Sequence, residues 1–187
     1  NAVATLNTGS VLYSGLINGD TLTGTYSGVF NNANVGNGKT VTITSSYGGT
    51  DVNNYTITDQ ASTTANVTTK SLTATASAAN KVYDASNTAT TTLTLSGFIG
   101  TETVTSTNSS TFNNKNVGTG KTVTVNSITL TDGTGLASNY SISPGQTTTA
   151  DVTAKALTAI ASAANKVYDS TTLANTTLTL SGLIGSE

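Results

Sequence analysis

Ser77-Ala-Ala-Asn-Lys-Val-Tyr-Asp84 returns unchanged as Ser162-Ala-Ala-Asn-Lys-Val-Tyr-Asp169, about 85 residues further along the chain. The lead-in is shared as well: Lys70-Ser-Leu-Thr-Ala-Thr-Ala precedes the first copy and Lys155-Ala-Leu-Thr-Ala-Ile-Ala the second. A motif that recurs at domain spacing marks a tandem array, and the fold must be read one unit at a time. Working outward, three copies align. Residues 1–70 form a first repeat truncated at its start, 71–155 a complete second, and 156–187 the opening strands of a third. Ser14-Gly-Leu-Ile, Ser96-Gly-Phe-Ile and Ser181-Gly-Leu-Ile match across all three. The Phe30-Asn-Asn-Ala-Asn-Val-Gly-Asn-Gly-Lys block matches the block from Phe112 to Lys121, and Asn54-Tyr-Thr-Ile matches Asn139-Tyr-Ser-Ile.

Inside the complete repeat the apolar positions alternate, as in Leu72-Thr-Ala-Thr-Ala, Leu93-Thr-Leu and Val123-Thr-Val. Threonine supplies about a quarter of the chain, and its β-branched side chain suits the outward face of a pleated strand. Glycines at 97, 100, 118, 120, 133 and 135 punctuate the pattern. Strands are expected near 70–76, 81–84, 90–95, 102–106, 121–130, 139–143 and 147–155, with one helical turn entertained at Ser77–Asn80. The fold class is therefore all-β: tandem Ig-like antiparallel β-sandwich repeats of about 85 residues forming an extended rod. The expected core is Leu72, Val82, Leu93, Leu95, Phe98, Ile99, Val104, Phe112, Val117, Val123, Val125, Leu136, Tyr140, Ile142 and Val152. Leu136-Ala-Ser-Asn-Tyr140 has the shape of a tyrosine corner, with a looser version at Tyr55.

Composition removes several kinds of chemistry. The chain has no Cys, Met, Trp or His, so disulfides, thiolate metal sites and Ser-His or Cys-His nucleophile pairs have no residues to build on. The net charge is −2 and seven basic residues are scattered, which is no footprint for nucleic acid. Apolar runs of a few residues insert no segment in a membrane.

Lys81-Val-Tyr83-Asp84, Leu95-Ser-Gly, Phe112-x-x-x-Asn-Val-Gly118-x-Gly-Lys-x-Val, Asn139-Tyr140 and the closing Asp151-Val-Thr come in a fixed order. Together they resemble the YDG-type and related MBG-type repeats of large secreted bacterial surface proteins, filamentous-haemagglutinin-like adhesins among them. The resemblance covers essentially the whole chain. It implies a secreted or cell-surface stalk with no enzymatic activity and no catalytic residue. It departs at one place, where the family's Tyr-Asp-Gly is Tyr83-Asp84-Ala85 and Tyr168-Asp169-Ser170; if glycine there takes positive φ, this turn must differ.

The repeat-defining structural residues are Lys81, Tyr83, Asp84, Phe112, Gly118, Tyr140, Lys166, Tyr168 and Asp169. No catalytic, cofactor-binding or metal-ligating residue is assigned. Asp84 and Asp169 are the weak candidates for calcium, but with no Asp-x-Asp-x-Asp string the simpler reading is a turn aspartate bonded to backbone N–H groups. Asp20, Glu102 and Glu187 share one aligned position and read as solvated loop charges. Gly-x-Gly-Lys at Lys39 and Lys121 leads into strand, not helix, so it reads as a hairpin and not a phosphate loop. A Lys–Asn isopeptide involving Lys70, Lys81, Lys155 or Lys166 is a minor alternative, and an ice-binding threonine face fails on its period.

The expected role is a structural stalk or scaffold in a secreted adhesin or extracellular filament. Its partners would be neighbouring repeats of the same chain or identical subunits, with a host or matrix surface as a further one. The alternative is a carbohydrate- or surface-binding module acting through avidity, for which Tyr13, Tyr26 and Tyr47 are the aromatics lacking counterparts. Both ends of the sequence fall inside a repeat. A window on a longer polymer is the favoured explanation, with strand donation by Ala156–Val167 as the other.

Overall fold

The computed structural model describes residues 3–4, 14–17 and 19–185. In chain order the strands are β1 (Val3–Ala4), β2 (Thr23–Phe30), β3 (Gly36–Gly48), β4 (Ser62–Val67), β5 (Lys70–Ser71), β6 (Thr73–Ala78), β7 (Lys81–Val82) and β8 (Thr88–Ala89). There follow β9 (Thr91–Ser96), β10 (Val104–Phe112), β11 (Gly118–Asp132), β12 (Tyr140–Ser141), β13 (Thr147–Thr153), β14 (Thr158–Ala163) and β15 (Thr176–Ser181). Two single 3-10 turns, Val52–Asn54 and Ala137–Asn139, are the only helical pieces among the described residues. The protein is nearly all β.

The chain divides into two compact units. The first holds Asn1–Ser71 together with Leu136–Ser141, the second Leu72–Gly135 together with Ile142–Glu187. In the first unit β1-β2-β3-β4 form one antiparallel sheet, and β5 pairs with β12. The Asn139 side chain accepts a bond from the Val35 N–H at 2.9 Å, tying the Ala137–Asn139 turn to the β2–β3 loop.

In the second unit a five-stranded sheet runs β7-β13-β11-β10-β8, and β6-β9 and β14-β15 form two-stranded antiparallel sheets. Period-two burial does what the threonine alternation asks: on β11, Val123 and Val125 are buried while Thr122 faces solvent. A bulge between Ser109 and Ser110 lets Ser110 face Val125 without breaking that alternation. Ser110 is buried, but its hydroxyl meets Thr91 Oγ1 at 2.7 Å and Asn108 Oδ1 at 3.2 Å, so no desolvated hydroxyl is left without a partner. The core is small: Phe112, Val123, Ala150 and Val152 cluster with Ala78, Tyr83 and Ala89 packed against them, and Leu72, Val104 and Val125 are also buried. At about 1.5–3 kcal/mol for each large apolar side chain buried, a core of this size leaves stability dependent on hydrogen-bonded loops as well.

Four expectations are corrected. Two pairings are parallel, β12 with β5 and β13 with β7, so the sheets are not purely antiparallel; long connections separate those strands and permit it. Ser77–Asn80 is no helical turn. β6 runs through Ala78, and Ala79 N–H continues the ladder to Thr90 O at 3.0 Å, so strand pairing overrides alanine's helix preference. Val82, Ile99, Val117 and Leu136 are exposed, not core. Val82 lies between the inward-turned Lys81 and Tyr83, and a period of two must then turn it outward. Finally, the expected strand at 102–106 begins at Val104 and continues to Phe112.

Candidate functional site

The recurring Lys-Val-Tyr-Asp motif builds a closed clasp. β7 places Lys81 opposite Val152, and the Tyr83 N–H donates to Thr153 O at 2.8 Å. The Lys81 side chain, only 17% exposed, turns back over the loop. Its ammonium reaches Asp84 Oδ1 at 2.7 Å, Ser86 O at 2.8 Å, Ser86 Oγ at 3.1 Å and Thr88 O at 3.0 Å. It also stands 5.6 Å from the centroid of the buried Phe112 ring, within cation–π range. Asp84 Oδ1 accepts from Ser86 N–H at 2.9 Å and Ser86 Oγ at 3.0 Å. The Lys81 hydrogen bond, reinforced by the Ser86 N–H, lowers the Asp84 carboxyl to about 2.

The second copy repeats this. Lys166 Nζ meets Asp169 Oδ1 at 2.8 Å, Thr171 O at 2.9 Å and Thr171 Oγ1 at 2.8 Å. Asp169 Oδ1 accepts from Thr171 N–H at 3.0 Å and its hydroxyl at 2.9 Å, and its carboxyl is lowered chiefly by Lys166. Tyr168 is 89% exposed, whereas Tyr83 packs on the core. The same loop therefore forms with and without a core behind it, which makes it a product of local hydrogen bonding.

The glycine question resolves against expectation. Ala85 and Ser170 sit at φ 62° and 61°, so the turn keeps its left-handed residue where an L side chain must adopt it. For a metal, the motif aspartate already has an ammonium in the position that a cation would take. Among the described residues no group of three or more Asp, Glu, His or Cys comes together.

Asp20 is not a solvated loop charge. Its Oδ2 accepts from the Tyr55 hydroxyl at 2.6 Å, and the same hydroxyl accepts from Ile17 N–H at 2.9 Å. The Tyr55 hydroxyl thereby ties its corner back to a loop well upstream. Asp20's hydrogen bond is the main cause that raises the Tyr55 hydroxyl's pKa. Glu102 is half-buried, its Oε2 only 2.7 Å from where a Cβ on Gly135 would stand. Glu187 lies outside the described residues.

A latch that the motifs did not announce lies next to it. Asp51 Oδ2 accepts from Thr21 N–H at 2.8 Å and from Thr50 Oγ1 at 3.0 Å, and the Thr21 N–H is the main reason its pKa is lowered.

The Gly-x-Gly-Lys steps are bulges inside strands, where a hairpin turn was expected. Registers shift between Gly36 and Lys39 and between Gly118 and Lys121, with Gly38 and Gly120 both at φ 58°. Their amides are occupied by side chains of the neighbouring strand, Gly38 N–H by Asn66 Oδ1 and Gly120 N–H by Asp151 Oδ1, each at 2.8 Å. Lys39 Nζ holds the β2–β3 loop through Asn32 O at 2.8 Å, Asn32 Oδ1 at 2.6 Å and Asn34 O. Lys121 reaches Asn114 Oδ1 at 2.5 Å. Phe112 and Tyr140 are buried and Gly118 opens β11.

Of the three aromatics without counterparts, Tyr26 is half-buried on β2 and the Tyr47 hydroxyl donates to Asp59 at 2.5 Å; Tyr13 lies outside the described residues. A shallow apolar hollow in the second unit is lined by Tyr83, Val117, Lys155, Leu157, Leu183 and Ile184. It assembles no acid–base pair.

A family model described as the YDG domain matches residues 1–65 and again residues 68–150. No curated protein and no solved structure matches the chain.

Proposed function

The chain belongs to the YDG domain family, and on that footing we propose that it is a non-catalytic structural stretch of a secreted bacterial surface adhesin or extracellular filament. In this reading tandem Ig-like sandwich repeats of about 85 residues, akin also to MBG-type repeats, stack into an extended rod. The rod holds a binding element away from the cell, and its own partners are neighbouring repeats or identical subunits.

One observation carries the reading. The most recurrent polar residues of the chain, Lys81 with Asp84 and Lys166 with Asp169, are spent on each other and on the next loop in the same way in both copies. Residues kept for chemistry would be presented to a cleft; these close a turn. The second support is the joint between repeats. Only Ala154, Lys155, Ala156 and Leu157 separate β13 from β14, and none is Gly, Ser or Pro, so successive modules have little freedom to swivel.

The localisation is tested with an antibody raised against the chain. Labelling of intact, unpermeabilised cells is the expected result; labelling that needs permeabilisation would contradict a surface role.

A further inference from the structure

The unit that folds and the unit that repeats do not coincide. Leu136–Ser141 belongs by sequence to the second repeat, yet it packs as part of the first unit. All the contacts that seat it lie within that unit. Asn139 Oδ1 accepts from Val35 N–H at 2.9 Å while its Nδ2 donates to Asn34 Oδ1 at 3.1 Å, so one carboxamide addresses two consecutive residues of the β2–β3 loop. Tyr140 and Ser141 pair in parallel with Lys70 and Ser71 of β5, and Thr69 Oγ1 donates to Ser141 Oγ at 3.1 Å.

Both sides of this contact are shaped by bonds of their own. The turn is closed on itself by Asn139 N–H to Leu136 O at 3.0 Å and by Tyr140 N–H to Ala137 O. On its N-terminal flank, Gly135 N–H is held by Thr103 O at 3.0 Å. On its C-terminal flank, Gly145 N–H donates to Val125 O and Val125 N–H to Gln146 O, each at 2.9 Å. The segment therefore leaves the second unit and returns to it through fixed points, as a short finger. The receiving loop is fixed by the Lys39 ammonium on Asn32 O and Asn34 O, and by Asn34 N–H to Asn32 Oδ1 at 3.0 Å. Two ordered surfaces lose little conformational freedom on joining, so hydrogen bonds of ordinary strength are enough to couple them.

We propose that Asn34, Val35 and β5 form a receiving surface whose partner is the 136–141 finger of the following repeat, and that the first unit reaches its full stability only with that finger seated. A residue of the second repeat thereby sets the stability of the first. Asn139 is the positioning residue. A carboxamide offers an acceptor to the Val35 N–H and a donor to Asn34 Oδ1 together, whereas a carboxylate would keep the first bond and set oxygen against oxygen at the second. In an array, such a joint is the nearest-neighbour contact that makes repeats unfold together instead of singly. The coupling stands on the contacts themselves; only its use in a stalk rests on the reading above.

Amide hydrogen exchange on the intact 187-residue chain tests it. Val35 reports the contact, and the buried Val41 and Val123 report the interiors of the first and second units. Asn139→Ala should speed exchange at Val35 and Val41 by about tenfold or more, with protection at Val123 and the circular dichroism spectrum unchanged. Asn139→Asp should act in the same direction. Asn34→Ala combined with Asn139→Ala should lose less protection at Val41 than the two single losses multiplied, because both remove the same bond. Unchanged exchange at Val41, a loss confined to Val123, or strictly multiplicative losses would overturn the proposal. Such a result leaves the stalk reading standing, since repeats that fold independently can still be strung into a rod. Failure of surface labelling, in turn, leaves the coupling untouched.

Discussion

Ala85→Gly should stabilise the protein, which is an unusual demand on a substitution to glycine. Ala85 is held at φ 62° by the clasp around it: Lys81 and the Ser86 N–H both fasten Asp84, and the next residue has no freedom to relax. A left-handed backbone costs an L residue about 1–2 kcal/mol. Glycine removes that cost but enlarges the entropy of the unfolded chain by about 0.4–1 kcal/mol. The balance is a gain of about 0.5–1 kcal/mol, reduced slightly by loss of a half-buried methyl. For a unit of this size, 1 kcal/mol moves Tm by about 4–8 °C, so a rise of about 2–8 °C is expected. Thermal unfolding followed by circular dichroism and tyrosine fluorescence reads it directly. Ala74→Gly, within β6, is the control and should lower Tm, since glycine weakens a strand. If Ala85→Gly lowers Tm as Ala74→Gly does, the argument that backbone strain is stored at this turn is wrong.

Other consequences follow from the packing and the loops. Phe112→Ala opens the centre of the core and should cost about 3–5 kcal/mol, whereas Phe30→Ala, at the less covered equivalent, should cost clearly less; urea midpoints compare the two. Gly49→Ala places a Cβ 2.4 Å from Thr21 O at φ +112°, so a loss above about 2 kcal/mol is expected in the first unit, and a silent substitution there would refute the close approach. The Asp84 carboxyl is lowered from 3.8 to about 2. Its contribution is therefore fully present above the ordinary value and lost as pH falls through about 2. Acid unfolding of Asp84→Asn should lack that component, and a carboxyl NMR titration midpoint near the ordinary value would contradict the clasp.

The alternation of threonine with small apolar residues was enough to place nearly every strand, because a period of two is written in the side chains themselves. Val123, Val125 and Val152 could be assigned to the core for the same reason. Val82 could not. Its neighbours Lys81 and Tyr83 look less apolar, yet the lysine is drawn inward by Asp84, Ser86 and Thr88 and by the Phe112 ring, and that reverses the parity of the strand. The parallel pairing of β7 with β13 joins residues some seventy apart, and local pattern says nothing about a contact of that range. Ala85 shows a further limit. A glycine position occupied by alanine suggested a different turn, but the hydrogen bonds of the clasp outweigh the strain. Of the polar ties, Asp51 to Thr21 left no mark in the repeats, while Asn66 and Asp151 occupy aligned positions and could have been paired with the bulge glycines from that alone.

The most direct test of the proposed stalk is small-angle scattering on chains of two, four and six concatenated repeats. Strands of the length seen here advance about 3.3 Å per residue, so each repeat should add a fixed increment of about 30–40 Å to the maximum dimension. Linear growth is the predicted result. A maximum dimension that rises far more slowly, as for a compact cluster or a flexible string of beads, would contradict the account.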